Sequence, residues 1–485
     1  MSERKRALAE RSEALARRNQ NEALARRVNG QVYLRGEPGY EQARADAVWN
    51  ERKPARYPAV IVVAADEADV VAAVDHARAR GITVSVRSGG HSWYGIHLRD
   101  DGLLLDLSRM RGITVDPEKR TAVLESGVLG MDVDRVISGH GLFFPVGHCP
   151  NVGIAGFMLG GGYGWNSRQY GPACFSILAV DVVTAAGERL HCDEERNSDF
   201  LWAARGGGHG QFAVITRFHV RLYERPGAIL RSTWVYPAKL AGEVVRWMMT
   251  AAPALADQVE FVGIITRPPI PGFQAAVMTV SATAFAGSVA GAMKLLAPLE
   301  QAPLEQAALE QAPLAGRELL RASARQTDMR ELGAQVERGA PKGQRYVCDN
   351  IWTHAPAAEI TPLIQQAADA MPDPGCQVFW TWWGADRTPP YAAWSAQAPW
   401  YYAVFGIGPG PAHDEAHDAW VRKSIGAVAH LSSGTQFADA DLARRFDSPL
   451  RPPQLARMAS LRARHDQAGV FADFPDHGTR EVSTP

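Results

Sequence analysis

Two glycine-bounded loops hold the residues with chemistry in them. In VRSGGHSWYG (86–95) a strand-like run stops at two adjacent glycines, and His91 follows. Gly89 and Gly90 permit positive φ and close backbone approach, so successive N–H groups can converge on an anion such as a pyrophosphate. His91 would then stand beside the body of that ligand; a plain turn with a hydrogen-bonded histidine is the alternative for this stretch alone. Farther on, GHCPNVGIAGFMLGGGYGWN (147–166) holds Cys149 and seven glycines. Such a density would ruin an interior helix or strand and argues for backbone packed directly on a flat ligand.

These loops need elements to position them. Before the first, AVIVVA, ADVVAAVDHARARG and TVSVRSGGHS read as strand, helix and strand, a βαβ-like unit ending on the glycines. LLLDLSRM, AVLESG and a helix from Leu129 to about His140 lead to the second loop. ILAVDVVTAAGERLHC reads as a hairpin, and FAVITRFHVRLY as a closing strand. After Pro226 the texture changes to strand–helix–strand pieces of an antiparallel α+β layer, with the aromatic strands CQVFWTWWGA and PWYYAVFGIG. Alternation along the latter puts Trp400, Tyr402 and Val404 on one face and Tyr401, Ala403 and Phe405 on the other. FWTWWG splits likewise into Phe379/Thr381/Trp383 and Trp380/Trp382.

The whole chain sets bounds on what these parts serve. Its 485 residues exceed one ordinary core, so two lobes are expected. With 51 Lys+Arg against 52 Asp+Glu, nothing favours nucleic acid as a partner. The first twenty residues are charged throughout, which reads as neither a signal peptide nor a membrane anchor, and a cytoplasmic protein is expected. Five cysteines (149, 174, 192, 348, 376) are odd in number and dispersed, giving no disulfide framework and no CxxC metal site; no metal is expected. APLEQ at 297–301 recurs at 302–306 and as AALEQ at 307–311. Its prolines would interrupt a helix, so 297–315 reads as an expanded surface loop.

Taken in order, RSGGHS, GHCPNVGIAGFMLGGGYG, GERLHCDEERNSDFLWAARGGG and LRARHDQAGVF resemble the berberine bridge enzyme-like branch of the vanillyl-alcohol oxidase superfamily, from about Gly30 to Phe474. A Rossmann reading of the glycine run fits less well, because GGGYGW lacks a following long amphipathic helix and an acidic residue at the usual distance. The resemblance implies an α+β fold: a PCMH-type FAD-binding domain of two subdomains, plus a substrate domain whose antiparallel sheet is backed by helices. The expected boundaries are a charged helical extension (1–29), an FAD-binding domain (30–226), a substrate domain (227–445) and a C-terminal segment (446–485) returning to the first lobe.

The resemblance also implies covalent FAD, with His91 bonded to the 8α-methyl and Cys149 to C6 of the isoalloxazine. The flanking His148 and nearby backbone donors are expected to lower the thiol's pKa. Cofactor contacts are implied for Arg87, Ser88, Gly89, Gly90 and Ser92 in the first loop. They are implied also for Val152, Gly153, Gly156, Gly161, Gly162 and Gly164 in the second, and for Val214. In related enzymes the residue at Val152 gates oxygen, and a valine there resembles an oxidase; a strand-compatible core residue is the alternative. The function expected is oxidation of a small-molecule alcohol, sugar or secondary metabolite with molecular oxygen as acceptor, giving hydrogen peroxide; a flavin dehydrogenase using another acceptor, or a flavin-containing protein that binds a metabolite without turnover, is the alternative.

Some positions depart from the family pattern. Phe157 replaces a histidine, Phe175 an acidic residue, and FADADL (437–442) stands for a YxNY-like element, with Phe437 for the tyrosine and Asp439 for the asparagine. The catalytic base is therefore argued from chemistry. Oxidising C–H beside O or N needs a group to take the heteroatom proton. Tyr401 or Tyr402 could do so if a cation or second hydroxyl depressed its pKa, with Glu260 and Asp349 as rivals expected to face solvent.

Overall fold

β-branched and leucine runs build the sheet that ends on the His91 loop. In this computed structural model, residues 20–268, 275–305, 314, 316–384, 387–395, 398–442, 444–445 and 447–473 are described, with backbone only at 301–305. β1 (Gln31–Leu34), β2 (Val60–Val63), β3 (Val84–Arg87) and β4 (Leu103–Asp106) lie in the order β1-β2-β4-β3. β2 and β3 both run parallel to β4, and VIVV and LLLD are buried on both faces, as parallel strands require. The helix Glu67–Arg80 makes the crossover. Asp66 caps it by accepting from the amides of Ala68 and Asp69, and Gly81, at φ 61°, ends it.

Next come β5 (Ile113–Asp116), β6 (Thr121–Glu125), β7 (Leu142–Phe143), β8 (Ile177–Thr184), β9 (Arg189–Cys192), β10 (Ala213–Arg221) and β11 (Tyr223–Glu224). Five of them form an antiparallel sheet in the order β5-β6-β10-β8-β9, with β8 and β9 as the expected hairpin, and β7 pairs with β11. The helix Gly130–Ser138 and the short helix Ile154–Leu159 flank the Cys149 loop.

The third sheet is antiparallel and seven-stranded. β12 (Ala228–Pro237), β13 (Val259–Thr266), β14 (Val277–Ala286), β15 (Leu320–Thr327), β16 (Arg345–Thr353), β17 (Gln377–Trp382) and β18 (Trp400–Gly408) run in the order β15-β12-β14-β13-β17-β18-β16. Alternation sorts its faces as the sequence predicts. Trp380, Trp382, Trp400, Tyr402 and Val404 pack with residues of the helices Ala241–Ala251, Ala357–Asp369 and Asp414–Val428. Phe379, Trp383, Tyr401, Ala403 and Phe405 join the cluster that contains the glycine-loop residues Ile154, Met158 and Tyr163.

The APLEQ expectation fails where it can be checked. The helix Val289–Glu305 runs through Pro298 and Pro303, because Ala292, Leu296 and Leu299 are fully buried against the sheet and that burial outweighs poor helix propensity. Residues 306–313 lie outside the described residues. Near the C-terminus, the helix Pro452–His465 sets Met458 and Leu461 into the same cluster as the glycine-loop residues. The chain then pairs with the outer edge of β3: Val84 N–H donates to Val470 O and Ala472 N–H to Val84 O.

Candidate active site

Backbone contact between the two glycine loops creates the site. A Cβ on Gly89 would come within 2.5 Å of the Gly153 nitrogen, and one on Gly153 within 2.4 Å of the Gly89 nitrogen. No side chain fits between, so β3 and the helix Ile154–Leu159 deliver His91 and Cys149 to one place. His91 Nε2 lies 3.6 Å from Cys149 Sγ, and Trp49 stacks on the imidazole at 4.3 Å and 24°. Burial lowers the His91 pKa to about 4, so the ring is neutral and nucleophilic at physiological pH.

The thiol does not behave as expected. Burial pushes Cys149 up to about 11, and the Asn151 backbone donor offsets only part of that. His148 turns away from it, with Nε2 3.3 Å from Glu260 Oε2 and its ring 4.3 Å from Trp165. Glu260 is likewise not solvent-facing. It is 5% exposed, and its other oxygen accepts from Asn166 N–H at 2.6 Å.

A cleft runs from this pair, with about 1670 Å³ of empty space including its solvent-open mouth. Every cofactor-contact residue expected from the sequence lines it except Gly161 and Gly164. Gly161 instead packs on Trp394, and a Cβ on Gly164 would meet Val146 O at 2.1 Å, so both serve the fold of the loop. Arg87 and Ser88 line the cleft with their polar atoms already engaged. Arg87 Nη1 donates to both oxygens of Asp106 at 2.8 and 3.0 Å, and Ser88 Oγ donates to Ser126 O at 2.5 Å. Their backbone, with Gly89 and Gly90, is what they offer a ligand. His209, absent from the sequence reading, also lines the cleft and keeps a buried Nε2 with no partner. A long cleft with glycine walls, two nucleophiles and an orphaned polar nitrogen fits an extended flavin dinucleotide.

The catalytic candidates separate sharply. Tyr402 is fully buried on the helix-facing side of β18, its hydroxyl has no partner, and it is nowhere in the cleft lining. It lies on the face of β18 turned to the helices, opposite Tyr401. Tyr401 points the right way but stands behind Asp439, which does line the cleft. Tyr401 OH donates to Asp439 Oδ2 at 2.8 Å, and Trp93 Nε1 donates to Oδ1 at 2.7 Å. Burial, then the Asp439 charge, holds the Tyr401 phenol well above its ordinary range, the opposite of what a tyrosine base needs. Burial also raises the Asp439 carboxyl, against the pull of its two donors. Asp349 is pushed up to about 6 by burial, opposed by its ion pair with Arg445 at 3.0 Å, and it is not in the lining.

Comparison with known proteins agrees with the geometry. Residues 58–193 match the family model described as an FAD binding domain. The chain is 30% identical over 436 residues to the FAD-linked oxidoreductase ptmO of Penicillium ochrochloron, covering 90% of this chain and 94% of that one. Among solved structures it is similar to the glucooligosaccharide oxidase of Acremonium strictum, described as having a novel flavinylation (TM-score 0.80, 20% identity, 94% and 98% of the two chains). It is similar also to Phl p 4, a glucose dehydrogenase (TM-score 0.76, 18% identity, 94% and 99%), one of whose Ile-to-Val variants is a glucose oxidase. The fold, the cleft and this relationship over nearly the full length agree: the chain belongs to the FAD-linked oxidoreductases, with the berberine bridge enzyme-like, PCMH-type fold, and is an FAD-dependent enzyme.

Proposed function

We propose that this protein is an oxidase with doubly attached FAD, acting on a small-molecule alcohol, sugar or secondary metabolite and passing the electrons to molecular oxygen. One observation carries the reading: His91 Nε2 and Cys149 Sγ meet at 3.6 Å in the cleft that Asp439 also lines. When bound, FAD supplies the two-electron acceptor. The chain supplies the rest. Neutral His91 would hold the FAD through one bond and Cys149, after its raised-pKa thiol gives up its proton, through the second. Each bond replaces a C–H of the ring system, whose proton goes to solvent and whose two electrons go to oxygen, the acceptor proposed here. Asp439 takes the O–H or N–H proton as hydride leaves the neighbouring carbon of the substrate. Tyr401 and Trp93 each hold one of its oxygens and so fix the direction of the remaining lone pairs.

Oxygen as acceptor rests on Val152. It lines the cleft just before the Gly153 contact, and its side chain is one methylene smaller than isoleucine or leucine. Phl p 4 gives the precedent that exchanging isoleucine for valine accompanies a change from dehydrogenase to oxidase. The cofactor lobe in this reading comprises 30–226 and the C-terminal tail, with 227–445 as the substrate lobe. The test is a stopped-flow comparison of the two half-reactions in wild type and Val152→Leu. Anaerobic reduction should be nearly unchanged, and reoxidation by air slower by more than about tenfold. Equal loss in both halves, or none, contradicts the oxygen assignment.

A further inference from the structure

Away from the cleft, three metal-ligating side chains converge where the substrate lobe's helices meet the end of β18. Asp373 sits in the turn between the helix Ala357–Asp369 and β17. His413 precedes the helix Asp414–Val428, and His417 lies one turn later on the same face. His413 Nδ1 is 3.0 Å from Asp373 Oδ2, and His417 Nε2 closes on that same oxygen. The three donor atoms all lie within 4.8 Å of one another. None of these residues lines the cleft.

We propose that Asp373, His413 and His417 bind a divalent transition-metal ion of zinc's class, as a clamp on the end of β18. Two imidazoles and one carboxylate form a donor set that zinc takes up with bonds of about 2.0–2.2 Å, leaving a fourth position for water. Imidazole donors select against calcium and magnesium, which prefer all-oxygen sites. Exposure is graded to suit: the side chains of His417, Asp373 and His413 are 2%, 22% and 40% exposed, so the ion would be anchored inside and reached from solvent past His413.

The backbone has made room for the rings. A Cβ on Gly406 would stand 2.6 Å from His417 Cβ, and one on Gly408 would stand 2.9 Å from His413 Cβ and from His417 Cε1. Both glycines belong to β18, the strand that carries Tyr401 on its other face. A helix start is the positive end of its dipole and disfavours a cation, so the Asp373 charge is essential to the set. Cys376 Sγ, 3.8 Å from the other Asp373 oxygen, adds a soft donor beside the site. A second cluster, Asp181 with His191 and His219, is a poorer host because Arg217 Nη1 approaches Asp181 to 3.8 Å and repels a cation.

The ion would tie the turn before β17 to the helix Asp414–Val428 that packs on β18, stabilising the substrate lobe without entering the redox chemistry. The flavin-loaded full-length protein is stripped with EDTA, given zinc chloride, desalted and assayed for zinc by mass spectrometry, with the thermal midpoint measured in parallel. Wild type should keep about one zinc per chain, as one such set of donors holds one ion, and its midpoint should rise with zinc. His413→Ala, at the half-exposed position, should bind zinc more than about tenfold more weakly and lose the midpoint shift, as should Asp373→Asn. His191→Ala should behave as wild type. Flavin absorbance reports that each variant is folded. No retained zinc in wild type, undiminished zinc in His413→Ala, or loss only in His191→Ala would overturn the assignment.

Discussion

At the scale of single residues, the decisive feature is how Asp439 is held. Asp439 lines the cleft while Tyr401 and Trp93 donate to its two oxygens, so its carboxylate is held in one orientation. Replacing Asp439 by Asn should slow anaerobic flavin reduction by about 10²–10⁴-fold, the usual contribution of a positioned base, with FAD content unchanged. Tyr401→Phe should cost less, since it removes one positioning donor. The pH dependence follows from the raised carboxyl. Asp439 takes up its proton at higher pH than a free aspartate, whose pKa is about 3.9. Hence kcat/KM should be full above the raised value and fall as pH drops through it, and Asp439→Asn should flatten that limb. A wild-type profile without an acid limb contradicts the role.

At the scale of elements, the touching glycine loops determine whether the two nucleophiles meet. Gly153→Ala forces a Cβ to within 2.4 Å of the Gly89 backbone, which cannot yield as a flexible side chain would. The loops must part, at a stability cost of about 1–3 kcal/mol. The fraction of FAD retained after acid precipitation should fall with it, and full retention would show that the contact does not set the geometry. Much at this scale is legible in the sequence. The 86–95 loop follows a β-branched strand, and period-two alternation in PWYYAVFG sorts both faces of β18. Other features depend on tertiary contacts that local pattern does not contain. Asp439 lies in a loop without periodicity, and only packing brings it to Tyr401 and Trp93. The same holds for Cys149, whose flanking histidine turns to Glu260, and for Pro298, carried in a helix by buried Leu296 and Leu299.

At the scale of the molecule, a buried polar side chain ties the loop beside the cleft to the seven-stranded sheet. Asn50, 1% exposed, donates through Nδ2 to Trp93 O and Tyr346 O at 2.7 and 2.8 Å, while its Oδ1 accepts from Tyr346 N–H at 2.9 Å. It thereby fixes the Trp93 loop to β16. Asn50→Ala strands buried partners and should destabilise by about 1–3 kcal/mol in denaturant unfolding. It should also weaken the catalytic step, because Trp93 positions Asp439. An unchanged unfolding midpoint would contradict this tie.

The central claim is that this architecture brings His91 and Cys149 onto one FAD. The measurement that tests it most directly is the intact mass of acid-denatured protein. Wild type should carry the mass of one FAD, as should His91→Ala and Cys149→Ala, each through its remaining bond, while the double variant should be bare polypeptide. A denatured wild-type chain at the mass of its polypeptide alone, with FAD free in the supernatant, would contradict the account.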